Sequence, residues 1–322
     1  MQYCRMRPRL FHQIGRAIAA AIIVAAPLRG VHAQATSPAA STIDETIPPG
    51  NNFDKAEFRL WLPPNVGTLS GALVLVPGSN GDGRPMAQDT VWQAFATKHK
   101  LAIVACRFTD KPHDQSFIED YVNVSRGSGQ ALLDVLGTFG RRTQHPELAN
   151  APLLFWGMSA GGQFNYEFTA WKPERVIAFV VNKGGIYYTA LTQRAAREVP
   201  GMLFIGGKDL ESRVNTITGL FDVNRRGGAL WALAEEPGAA HIVGRSRDMS
   251  IIFFDDVLPL RLVDAASPLK PIAEKSGLLG DFKAKTFQPM GEAPAPNYPT
   301  AWLPTDRVAR AWQALVTERP FP

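Results

Sequence analysis

The sequence predicts an α/β protein: a mainly parallel sheet with helices on both faces, a three-layer sandwich. Two observations predict it. Short apolar runs without polar alternation recur along the chain, at Gly71–Val76, Leu101–Cys106, Leu153–Trp156, Val176–Val181, Gly201–Ile205 and Leu230–Leu233. Runs of this length suit strands covered on both faces. Longer segments with helical periodicity separate them, and that alternation argues parallel strands joined by helical crossovers.

The first residues are set apart from the fold. Arg5, Arg7, Arg9 and Arg16 precede an apolar core from Ala17 to Ala26, and small residues around Ala33 offer a cleavage point. This is the pattern of a secretory signal peptide over residues 1–33, too short in its apolar part for a membrane span. It implies a secreted or periplasmic protein with no stable membrane insertion once the leader is removed. The whole chain carries 34 basic and 29 acidic residues, but five arginines and no acid lie in the leader, so the remainder is neutral. Such a balance gives no footing for nucleic-acid binding, which needs a basic stripe on the folded domain. Of the two cysteines, Cys4 leaves with the leader, so Cys106 has no intrachain partner and a buried core must supply the stability. Just under 290 of the 322 residues remain, enough for one large domain over 51–322.

In chain order, 34–50 is rich in Ala, Ser, Thr and Pro and reads as a flexible lead into the fold. Ala56–Leu62 alternates polar and apolar, as a half-exposed strand does. After the run ending at Val76 comes Pro77-Gly78-Ser79-Asn80-Gly81-Asp82-Gly83, a loop whose glycines let backbone N–H groups approach a ligand. A helix from about Met86 to His99 leads to the strand Leu101–Cys106, and a long helix is expected from about Phe117 to Phe139. Its Gly127-Ser128-Gly129 lacks the preceding strand and third glycine of a dinucleotide fingerprint. A further helix is expected over about Arg245–Leu260. The segment from about 265 to Pro304 is Pro-rich and reads as an irregular wrap near the mouth of the site, closed by a helix over Thr305–Thr317. Trp92, Trp171, Trp231, Trp302 and Trp312 read as packing residues.

The chemistry concentrates at Leu153-Leu154-Phe155-Trp156-Gly157-Met158-Ser159-Ala160-Gly161-Gly162-Gln163, where a buried strand breaks at G-x-S-x-G and resumes as a helix. Strand, sharp turn and helix are the context a nucleophilic serine requires. A serine hydroxyl reacts only when it stands clear of its own backbone beside a base. Of six histidines only His241 follows Ser159, in a loop just beyond the last apolar run, where the base belongs in the order Ser, acid, His. Asp209 is the first carboxylate after the Gly201–Ile205 run and the expected acid, with Glu211 as the alternative; Lys183 reads as a member of a structural ion pair. The N–H groups of Ala160 and Ser79, with Asn80 next, are the expected oxyanion donors.

These residues resemble the α/β-hydrolase superfamily over almost the whole chain beyond the leader. Within it, the loop after Val76 and Gly157-Met158-Ser159-Ala160-Gly161-Gly162 are similar to those of secreted feruloyl esterases, polyhydroxybutyrate depolymerases and dienelactone-hydrolase-like enzymes. The resemblance implies a Ser159–His241–Asp209 triad without metal or organic cofactor, acting on a small-molecule or oligomeric carboxylic ester. One departure is Pro77-Gly78 where many of those relatives carry His-Gly. Two rival readings share the fold: a serine peptidase, and an inactive hydrolase fold used for binding.

Overall fold

A computed structural model describes residues 42–115, 118–263, 267–291 and 296–322. The leader reading falls outside these residues. Eight strands form the main sheet: β1 (Thr42–Ile47), β2 (Lys55–Trp61), β3 (Gly71–Val76), β4 (Leu101–Thr109), β5 (Leu153–Gly157), β6 (Val176–Asn182), β7 (Gly201–Gly206) and β8 (Trp231–Glu236). Their spatial order is β1-β2-β4-β3-β5-β6-β7-β8. The first two pairings, β1 with β2 and β2 with β4, are antiparallel, and all the others are parallel. Burial follows this plan. Strand β2, near the edge, alternates between buried and half-exposed positions, whereas every residue of β3, β5, β6 and β7 is buried.

Among the described residues seven α-helices accompany the sheet: α1 (Thr90–His99), α2 (Ser128–Thr143), α3 (Ala160–Trp171), the one-turn α4 (Arg194–Arg197), α5 (Glu211–Arg226), α6 (Ser246–Arg261) and α7 (Asp306–Val316). They divide between the two faces. Leu132, Leu136 and Phe139 of α2, Phe164 and Phe168 of α3, and Phe221 of α5 meet Val74, Phe155, Val181 and Leu203 in one core. Trp92 and Phe95 of α1, Phe253 and Val257 of α6, and Trp312 and Leu315 of α7 meet Leu75, Leu154, Val180 and Phe204 in the other. Alternate residues of each strand point to opposite layers, which is why the apolar runs carry no polar partners. Each fully buried Phe or Leu side chain here contributes about 1.5–3 kcal/mol of transfer free energy. The architecture is the three-layer sandwich that the run pattern predicts, and it matches the α/β-hydrolase fold that the resemblance implies.

Three expectations are corrected. The lead segment is not irregular throughout: Thr42–Ile47 pairs with β2 as the edge strand, with Ile43 and Ile47 resting on the core and Arg59 bonded to Asp44 at 2.7 Å. The alternation needed to see this strand spans only six residues amid a Ser/Thr/Pro-rich stretch. The long helix expected from about Phe117 begins only at Ser128, and Phe117 itself lies outside the described residues. Two 3₁₀ turns, Asp120–Val122 and Val124–Arg126, precede it, and Gly127 at φ 144° breaks the helical path. Asn52, from the distant β1–β2 connection, holds these turns by donating to the carbonyls of Asp120 and Asn123. No local period could reveal that partner.

The C-terminal wrap contains a second, three-stranded sheet, β10-β9-β11, made of β9 (Leu278–Asp281), β10 (Thr286–Pro289) and β11 (Ala301–Leu303). It lies beside β8 and α7 rather than at the mouth of the site: among the described residues, none beyond His241 lines the cleft around Ser159. Trp302 and Trp312 are fully buried, their indole N–H groups donating to the carbonyls of Glu274 and Leu233. Trp92 and Trp231 are buried in the core as expected, and none of the five tryptophans singled out lines the cleft.

Candidate active site

The sheet order places β4 on one side of β3 and β5 on the other, so successive crossovers run in opposite directions and open a crevice at the carboxyl ends of the central strands. Four loops meet there, following β3, β5, β7 and β8. The loop after β5 is the sharpest. Ser159 has φ 55° and ψ −123°, a sparsely populated conformation for a residue with a side chain, at a cost of about 1–3 kcal/mol. The surrounding structure enforces it. Ser159 N–H donates to the Asn182 carbonyl at 2.8 Å, the Met158 amide to the Val76 carbonyl at 3.3 Å, and the Gly161 amide to the Met158 carbonyl at 2.9 Å. A Cβ on Gly161 would collide with the carbonyls of Val76 and Pro77, and one on Gly157 with the Gly161 backbone. The two glycines of G-x-S-x-G are therefore required by contact, and the serine between them is held clear of the turn.

The structure brings Ser159, His241 and Asp209 into one hydrogen-bonded chain. Ser159 Oγ lies 3.0 Å from His241 Nε2, and His241 Nδ1 lies 2.9 Å from Asp209 Oδ2. An ionised carboxylate only accepts, so Nδ1 carries the proton toward Asp209 and Nε2 is left to accept from the serine hydroxyl. Asp209 Oδ1 accepts from the Leu210 amide at 2.7 Å and from Arg213 Nη1 at 2.8 Å. Burial by itself would raise the Asp209 carboxyl; the bonds from His241, Leu210 and Arg213 outweigh it and hold the group below its ordinary value. Glu211, the alternative acid, is an exposed residue at the start of α5 and makes no bond to His241.

The two expected oxyanion donors differ in how they are freed. Ala160 is the first residue of α3, so its amide has no intrahelical acceptor and lies at the positive end of the helix dipole. In the loop after β3, the Asn80 amide is engaged by the Tyr121 hydroxyl at 3.2 Å and the Gly81 amide by the Gly78 carbonyl at 2.9 Å. The Ser79 amide has no acceptor among the described residues, which separates it from the alternative Asn80. The same loop lies against the serine: a Cβ on Gly78 would stand 3.6 Å from Ser159 Cβ.

Lys183 anchors the loop after β8. It is fully buried at the end of β6, and its Nζ donates to Glu236 Oε2 at 3.0 Å and to Asn182 Oδ1 at 3.2 Å. Burial lowers the lysine below its ordinary value, and Glu236 opposes the shift. Glu236 Oε1 in turn accepts from the Arg245 amide at 2.7 Å, and its backbone carbonyl accepts from Gly207 and Ala239. The ion pair thus ties β6 to both ends of the segment that carries His241. The ion pair is the role the sequence assigned to Lys183; the partner, more than fifty residues away, was not legible.

Gly78, Ser79, Met158, Ser159, Gln163, Gly185, Ile186, Leu210, Arg213 and His241 are among the residues lining a cleft of about 750 Å³. Met158, Ile186 and Leu210 make its apolar rim. The segment 185–189, of which Gly185 and Ile186 line the cleft, is fixed from α3: Gln163 Oε1 accepts from the Gly185 amide, and the buried Glu167 carboxylate accepts from the amides of Tyr188 and Thr189. These supporting residues were missed in the sequence because a polar side chain in a helix reads as solvated unless its burial is known.

No family profile and no curated protein matches the chain. Among solved structures, a ferulic acid esterase superposes with a TM-score of 0.48 at 11% identity over 63% of this chain and 92% of its own. Poly(aspartic acid) hydrolase-1 from Sphingomonas sp. KT-1 gives 0.46 at 14% over 66% and 98%. The fluorophosphonate-binding serine hydrolase F of Staphylococcus aureus gives 0.45 at 12% over 66% and 98%. At these identities the likeness concerns fold alone. The α/β-hydrolase architecture itself stands on the strand order and layer arrangement described above.

Proposed function

We propose that the protein is an exported serine hydrolase of carboxylic esters. The observation that carries this reading is the Asp209–His241–Ser159 chain of hydrogen bonds, ending on a serine of positive φ that lines a cleft. Export rests on the basic and apolar pattern of residues 1–33. In the proposed reaction Ser159 Oγ attacks the ester carbonyl carbon while His241 Nε2 takes its proton. Asp209 holds the imidazole in the required tautomer and stabilises the imidazolium. The amides of Ser79 and Ala160 receive the oxyanion, an interaction worth about 3 kcal/mol per donor. Collapse breaks the bond to the alcohol, which leaves with the proton from Nε2. Water, deprotonated by the same nitrogen, then attacks the acyl-serine carbonyl; the bond to Ser159 Oγ breaks as Nε2 returns the proton to that oxygen, releasing the acid.

The test is hydrolysis of a graded series of nitrophenyl esters, with matched amides, by the protein lacking its leader, beside Ser159→Ala and His241→Ala. Turnover of esters, stoichiometric labelling of Ser159 by a fluorophosphonate, and a loss on the order of 10⁴-fold or more in kcat for both variants are expected. Full turnover by Ser159→Ala, or a folded protein that neither turns over nor labels, would overturn the reading. Amides cleaved faster than esters would move it to a peptidase.

A further inference from the structure

The cleft around Ser159 contains a carboxylate that the proposed chemistry does not use. Glu119 lines it together with Ser159 and His241, and only 5% of the residue is exposed. Among the described residues no side chain or amide bonds its carboxylate; the contacts that Glu119 makes, with the Val122 amide and the Tyr188 hydroxyl, go to its backbone carbonyl. A carboxylate on a residue this buried is costly to leave without a partner even where its oxygens reach the cleft, and buried acids are ordinarily paired. Other acids near the site follow that rule: Asp209 has Arg213 and His241, Glu236 has Lys183, and Glu167 has the Tyr188 and Thr189 amides and the Thr189 hydroxyl.

The charges facing the cleft leave Glu119 uncompensated. The cations lining it are Arg213 and, when protonated, His241, and both are committed to Asp209. The hollow on the other side of Glu119 holds Asp54 and Asp110 against Lys111 and His113, and His113 is directed to Asp110. That side therefore supplies no surplus positive charge. We propose that Glu119 is a substrate-recognition residue, and that the cleft takes esters carrying a cationic, ammonium-type group whose charge pairs with this carboxylate. The proposal rests on the ester-hydrolase reading for the word ester, and on the cleft itself for the cation.

The experiment compares a choline-type ester with its uncharged tert-butyl isostere and with an anionic ester of similar length. Two sets are used, with the charge on the alcohol side in one and on the acyl side in the other. Wild type should favour the cation over the isostere by about tenfold in kcat/KM in one set, and disfavour the anion. That preference should shrink with added salt, since the pair is only partly desolvated. In Glu119→Gln, which keeps shape and removes charge, the cation-to-isostere ratio should fall to near one. Equal turnover of cation and isostere by wild type, or a ratio unchanged in Glu119→Gln, would overturn the proposal while leaving the hydrolase reading intact. A parallel titration of Ser159→Ala with a trimethylalkylammonium ion, read by calorimetry, does not depend on turnover. Binding that Glu119→Gln loses supports the cation site even if no ester is cleaved, and absence of binding counts against it.

Discussion

Ser159 and His241 lie within one hydrogen bond of each other, yet the turns that carry them are held by different forces. The Ser159 turn is fixed by hard contacts between backbones. Gly157 and Gly161 leave no room for a side chain, and three backbone hydrogen bonds tie the turn to β3, β6 and the start of α3. The His241 segment, from Pro237 to Arg245, is crowded at its start, where a Cβ on Gly206 or Gly207 would meet the carbonyls of Ala239 and Pro237, but beyond His241 it opens and Ile242 is more than half exposed. Its far end is anchored by a buried charge pair, Lys183 with Glu236, from which the Arg245 amide hangs. Steric fixation is local and written in a short motif; electrostatic fixation joins residues distant in sequence and depends on both being buried together.

The comparison is broken most severely at the ion pair. Lys183→Met leaves Glu236 buried without its cation and should cost about 3–5 kcal/mol in denaturant unfolding. Lys183→Met combined with Glu236→Leu should cost less than the single change, because no lone buried charge remains. A double variant as unstable as the single would show that packing rather than charge anchors the segment. The Ser159 turn breaks next. Gly161→Ala forces its Cβ into the Val76 carbonyl, and about 1–3 kcal/mol of overpacking strain is expected. Displacing Ser159 by a fraction of an ångström should also lower kcat/KM by about 10²-fold, with KM changed less than kcat.

The smallest effect on stability is expected at the junction between the two turns. Asp209 is held below its ordinary value of 3.8 in the fold, so its contribution to stability is complete above the unfolded value. It is lost as pH falls through the lower folded value. Acid titration of unfolding should show this loss in wild type and not in Asp209→Asn. The same substitution should reduce ester turnover on the order of 10⁴-fold at neutral pH, since the wrong histidine tautomer is favoured.

The legibility of the site divides along the same line. Ser159 was readable because its motif is contiguous and its glycines answer to contacts within a few residues of each other and with one neighbouring strand. His241 was readable by elimination, a matter of chain order. The preference of Ser79 over Asn80 as donor was stated from position, but its physical basis is the Tyr121 hydroxyl, forty-one residues on, which occupies the Asn80 amide. The edge strand Thr42–Ile47 falls in a stretch whose sequence reads as a flexible lead, and the C-terminal three-stranded sheet in one that reads as irregular, because short strands acquire their identity from the partner they pair with.

By itself, then, the sequence determined the sheet's core strands, the chain order of Ser159, Asp209 and His241 beyond those strands, and the sharp turn at Ser159, since period and glycine spacing are properties of neighbouring residues. Tertiary structure alone decided which polar side chains are withdrawn from water. Gln163 and Glu167 sit on a helix that is almost entirely buried, Lys183 finds Glu236 across two strands, and Glu119 comes to face the cleft with its charge unanswered. Burial converts each from a solvated group into one that must be paired, and burial is a property of the assembled layers rather than of any segment of the chain.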